Sequence, residues 1–177
     1  MEIALPLLVI RLVIGLGFAA HGAQKLFGWF GGYGIAGTGG FFETLGFKPG
    51  RFFAAAAGFS ELAGGLLIAA GLGGPVGAMF VIAAMLVALV VVHLRNGFFA
   101  TSNGVELPLL YLLVALFYAF GGYGPLSIDA VLGIAGVWSA GLIWGVVILG
   151  FLGGLGNIAV RRKTPAPPAP ETLDPAV

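Results

Sequence analysis

Residues 75–92 read PVGAMFVIAAMLVALVVV, eighteen positions without a charged, hydroxyl or amide side chain. A helix on a water-covered core keeps one polar stripe, and this run has none. Its length instead fits the roughly 17–25 residues that cross the hydrocarbon of a bilayer. Four more runs of the same kind lie outward from it. Ile3–Ala20 is interrupted only by the charge of Arg11, and Phe52–Leu72 only by that of Glu61. Leu107–Gly121 is short and extends toward Tyr123. Ala130–Val160 exceeds a span, so it is expected to tilt, to kink or to begin late, near Val137. Lipid offers no partner to an open strand edge, so all five runs are expected to be helices.

Composition agrees. Of 177 residues 8% are charged, against about 25% in soluble domains, and mean hydropathy is +1.08. The bilayer is the partner such a surface requires. The 32 glycines suit close helix crossings, for example at Gly141/Gly145 and Gly150/Gly154. With no cysteine, disulfides, thiolate-held metals and dithiol chemistry are excluded. A net charge of +1 gives no bulk attraction to nucleic acid. Acidic Met1-Glu2 and the position of Arg11 inside the first run argue that this run is not a cleaved signal.

Charge then orients the chain. With five spans, Lys25, Lys48, Arg51, Arg95, Arg161, Arg162 and Lys163 fall on one side, and the opposite side carries no Lys or Arg. The positive-inside rule puts that basic side in the cytoplasm, with the N-terminus outside. Four spans would divide the same charges nearly evenly. The transmembrane domain is expected to cover residues 1–160. Residues 161–177 form a basic, then Pro-rich cytoplasmic tail without apolar periodicity, expected to be disordered or polyproline II.

Two charges lie inside spans. Counted from their ends, Arg11 and Glu61 reach similar depth on adjacent antiparallel helices, and either alone costs at least ~2.5–3.5 kcal/mol there. An Arg11–Glu61 pair is the expected resolution. It reads either as an ion pair fixing helix register or as a proton-transfer or ligand-binding centre. A second group gathers at the cytoplasmic side. His21, Gln24 and Lys25 share one helical face by spacing. His93 and Asn96 end the third span, Glu43 lies in the intervening segment and Glu106 opens the fourth span. These residues either anchor and cap helix ends or form an anion or headgroup site lined by His21, Lys25 and His93. Two lone histidines are too thin a set to assign a metal or haem. Gly32–Gly37 matches G-x-G-x-x-G but lacks the strand that a dinucleotide site requires. Trp29, Phe30, Phe41 and Phe42 suit a segment lying at the membrane interface.

These residues resemble the DoxX family of bacterial membrane proteins. The resemblance rests on Arg11, His21-Gly22-x-x-Lys25-Leu26-Phe27-Gly28 and Gly37-Thr38-x-Gly40-Phe41-Phe42-Glu43. It continues through Glu61-x-x-Gly64-Gly65-Leu66-Leu67, His93-x-x-Asn96-Gly97-Phe98-Phe99 and Glu106-x-Pro108-Leu109, covering roughly residues 5–130. It implies a four-helix core, to which this chain adds a fifth C-terminal span, in a bacterial inner membrane. Some relatives are associated with a thiosulfate:quinone oxidoreductase, which implies a redox link.

Two functions follow as expectations. The first is a membrane component of a quinone-linked or stress-related redox system, with a quinone near Arg11, Glu61 and the His21/His93 end. Lacking cysteine and any cofactor motif, it would take redox equivalents from a partner oxidoreductase. The second is a non-enzymatic scaffold or carrier binding a lipid or small anion. No motif assigns a catalytic residue or an oligomeric state.

Overall fold

The computed structural model describes residues 3–162. Helix α1 spans Ala4–Phe27, α2 Gly34–Thr44, α3 Gly50–Ala70, α4 Val76–Val87, α5 Glu106–Gly121, α6 Ile128–Val131 and α7 Ala140–Ala159. A π-type turn at Ala88–His93 and a 3-10 turn at Leu94–Asn96 prolong α4. Among the described residues there is no strand. Four helices are long and apolar enough to cross a membrane: α1, α3, α4 with its extension to Asn96, and α7. The 16-residue α5 is a shorter apolar helix.

The late start expected of the last run is observed. Ser127 caps α6 by accepting from the Ala130 N–H, and Gly133 (φ +69°) ends that short turn. Ser139 then caps α7 by accepting from Leu142 N–H. Residues 130–139 are therefore a connection rather than membrane helix. The Pro-rich tail lies outside the described residues, apart from its first two positions. Arg161 donates through Nε to the Leu45 carbonyl, and the Arg162 N–H donates to Gly46 O at 2.9 Å.

The bundle is apolar inside and out. Phe18, Ile68, Val81, Ile82, Leu112, Tyr118 and Val147 fill its centre. Leu5, Val13, Phe59, Leu113 and Leu149 stand exposed on its outer face, as a lipid-facing surface requires.

Helices α1 and α3 touch backbone to backbone. A Cβ added at Gly15 would lie 2.7 Å from both Gly65 O and Ala69 N, and one at Gly22 would lie 2.6 Å from Gly58 O. These contacts leave no room for a side chain and fix the register of the pair. Of the small-residue spacings noted in the sequence, Gly150 and Gly154 do meet α4, at Met79, Ala83 and Leu86. Gly141 and Gly145 face open space.

Candidate functional site

The α1/α3 register separates the two buried charges. Gly22 lies beside Gly58 and Leu62, whereas the Arg11 guanidinium lies against Gly71. Ten residues of α3 separate Glu61 from Gly71, about 15 Å along the axis. The expected Arg11–Glu61 pair is therefore not formed. Counting depth from sequence limits failed because α1 continues to Phe27, which moves Arg11 toward one end.

Arg11 is 3% exposed and serves the chain's own backbone. Its Nη1 donates to Tyr123 O at 3.2 Å and its Nη2 to the Leu126 carbonyl, leaving Nε without a partner. Around it the end of the bundle is closed by further bonds. The Asp129 carboxylate accepts from the Gly73 and Gly74 N–H groups at 2.8 and 2.7 Å. The Tyr123 hydroxyl donates to Gly74 O at 2.8 Å, and that of Tyr118 to Leu7 O at 2.9 Å. Burial, reinforced by the negative charge of Asp129, pushes the Tyr123 hydroxyl well above its ordinary range, so it stays a donor. Gly71 has φ +65° and Arg11 directly over its Cα, so glycine is needed there twice over.

Glu61 has a different partner. Its Oε2 accepts from Lys25 Nζ at 2.5 Å, with Glu61 6% and Lys25 27% exposed. Lys25 reaches it from one turn beyond His21 on α1, because the α1/α3 seam brings these levels together. The pair borders a cavity of about 340 Å³, within the range of small-molecule sites. His21, His93, Tyr111, Ser60 and Asn157 bring the other polar groups to its wall, and Phe18, Phe41, Phe42, Phe47 and Phe53 bring aromatic rings. Five apolar helices contribute here: α1 and α4 with their C-terminal turns, α3 and α5 with their N-terminal halves, and α7 through Asn157. All five thus alternate in direction. Exposed Phe41 and Leu107 are also in the wall, so the cavity reaches the apolar outer surface.

Local structure explains how the histidines arrive. The π-type turn at Ala88–His93 widens the end of α4, a distortion common at functional sites. His93 closes that turn and is held by its Nδ1, 2.7 Å from Asn103 O. His21 Nδ1 lies 3.1 Å from Gln24 Oε1, and the His21 ring meets Tyr111 edge-on at 6.2 Å.

The expected set divides. His21, Lys25 and His93 meet at one cavity, and Glu61 joins them there. Glu43, Asn96 and Glu106 do not border that cavity. Glu43 accepts from Gly50 N–H at 3.1 Å at the start of α3, and Glu106 from Ala100 N–H at 2.7 Å. Asn96 donates to the carbonyls of Val92 and Asn103. These three hold turns. Tyr111 was missed, although a phenol inside an otherwise apolar helix was a visible signal. The roles of Tyr118, Tyr123 and Asp129 were missed as well, since their partners are backbone groups far away in sequence.

The family model described as DoxX matches residues 6–94, from the first turn of α1 to the turn after His93. The chain belongs to the DoxX family. The matched stretch of this DoxX chain contains Arg11, His21, Lys25, Glu43, Glu61 and His93, whereas Tyr111, Asp129 and α7 lie beyond it. No curated protein and no solved structure matches the chain.

Proposed function

We propose that this DoxX-family protein binds a lipid-soluble quinone-type ligand in the cavity around Lys25 and Glu61, as the membrane component of a redox system. One observation carries the reading: an ion pair, two imidazoles, a phenol, the Ser60 hydroxyl and the Asn157 amide border a single hollow whose remaining wall is aromatic and aliphatic. Such a wall suits a planar ring with an apolar chain, and the few polar groups suit the oxygens on that ring. The exposed Phe41 and Leu107 give a lipid-soluble molecule a way in from the bilayer. Redox equivalents would come from a partner protein, because the chain has no cysteine of its own. On this reading the protein is multi-pass in a bacterial inner membrane. The basic end, with the cavity and the tail from residue 161, faces the cytoplasm and the Arg11 end faces outside. A scaffold or carrier role is the alternative, favoured by the Lys25 ammonium, which also suits an anionic headgroup.

The test is equilibrium binding of decylubiquinone to the full chain in mild detergent, with solvent extraction of the purified protein alongside. One quinone bound per chain at micromolar concentration is the expected result. Absence of saturable binding, combined with an extract holding only phospholipid, favours the carrier reading.

A further inference from the structure

The two imidazoles at the cavity have their tautomers decided by their neighbours. His93 Nδ1 faces the Asn103 carbonyl oxygen at 2.7 Å. A carbonyl only accepts, so Nδ1 carries the proton. His21 Nδ1 faces Gln24 Oε1 at 3.1 Å. That amide is itself oriented, because Gln24 Nε2 donates to Phe30 O at 3.1 Å. Its oxygen is therefore the atom beside the ring, and His21 also carries its proton on Nδ1. In both neutral rings Nε2 is left with a lone pair. Among the described residues no donor reaches either Nε2.

The balance of polar groups at the wall follows. Acceptors in surplus are the two Nε2 atoms and the Glu61 oxygen that Lys25 does not take. The Lys25 ammonium gives one N–H to Glu61 and keeps two, the Asn157 amide gives one to Gly153 O and keeps one, and the Tyr111 and Ser60 hydroxyls can act either way. A headgroup with carbonyls alone can be met by Lys25 and Asn157 but leaves both Nε2 atoms without a donor. A headgroup with hydroxyls supplies the donors that the imidazoles lack. The ring-rich wall of Phe18, Phe42, Phe47, Phe53 and Tyr111 favours an aromatic body over an alkyl one.

Resting on the quinone-type reading of this cavity, we propose that the site selects the reduced, hydroxyl-bearing form. Its ligand is a lipid-soluble hydroquinone whose O–H groups donate to Nε2 of His21 and His93. Selection of this kind also raises the reduction potential of the bound couple, since the tighter-held form is the reduced one.

The proposal is tested on the wild-type full chain in mild detergent, without oxygen, by comparing dissociation constants for four probes. These are decylubiquinol, decylubiquinone, the dimethyl ether of decylubiquinol, and 1-dodecanol. Decylubiquinol should bind about tenfold more tightly than the quinone or the dimethyl ether, as expected for one or two hydrogen bonds. Dodecanol should bind more weakly than decylubiquinol. In His21→Phe and His93→Phe the quinol-to-quinone ratio should fall toward one. Quinone binding as tight as quinol in the wild type overturns the selection while leaving a quinone-type site standing. Dodecanol binding as tight as quinol overturns the hydroquinone class in favour of a plain hydroxyl lipid. Failure of all four probes to bind removes the quinone-type reading and the selection together.

Discussion

The two ends of this bundle use charge in opposite ways. At one end Arg11 and Asp129, each 3% exposed, are bonded to backbone groups of the connections beside them. Tyr118 and Tyr123 stack there and donate to two further carbonyls. At the other end Lys25 and Glu61 pair with each other, and His21, His93 and Tyr111 stand around a hollow. Burial of charge does not separate the two cases. What separates them is where the remaining hydrogen-bonding capacity goes: into the chain's own carbonyls and N–H groups at the Arg11 end, and to a cavity wall at the His21 end.

If that contrast is correct, the largest change in stability comes from the closed end. Asp129→Ala leaves two part-buried N–H groups, on Gly73 and Gly74, without an acceptor. The expected loss is about 2–4 kcal/mol, read as a lowered Tm in detergent. The affinity of the remaining folded protein for quinone should be unchanged. A parallel fall in affinity would show that the two ends are coupled.

A smaller stability effect and a larger binding effect are expected at the open end. Glu61→Leu alone leaves Lys25 beside an apolar wall, while Lys25→Leu combined with Glu61→Leu removes both charges. The double variant should melt nearer to the wild type than Glu61→Leu does, because a lone desolvated charge costs more than no charge. The difference is expected to be modest, on the order of 1 kcal/mol, since Lys25 is part exposed. Quinone affinity should fall at least tenfold in both. Affinity kept by the double variant would reduce the ion pair to a register device.

The sequence showed much of the frame and only part of the site. Apolar runs fell where α1, α3, α4 and α5 stand, because lipid demands long apolar helices and little else resembles them. The late start of the last helix was legible as one way to shorten an overlong run, but its cause was not, since Ala130–Val137 is as apolar as a span and only the Ser127 and Ser139 caps mark the break. His21, Lys25 and His93 were readable as one group because they sit at the C-terminal ends of the first and third spans, which run parallel. The partner of Glu61 was not. It depends on a register set by glycines that meet backbone to backbone, Gly15 with Gly65 and Gly22 with Gly58, and a shift of two or three turns is invisible in composition. Arg11 was similarly opaque, because its acceptors are main-chain carbonyls more than 100 residues away.

The most direct test fills the hollow without touching any charged or hydrogen-bonding group. Ala57 lies one turn before Glu61 on α3 and lines the cavity. Ala57→Phe places a ring where the ligand's ring would sit. Quinone binding by the full chain should be lost, by at least tenfold in Kd, with Tm equal to or above that of the wild type. Unchanged quinone affinity in a well-folded Ala57→Phe protein would contradict the assignment of this cavity as the binding site.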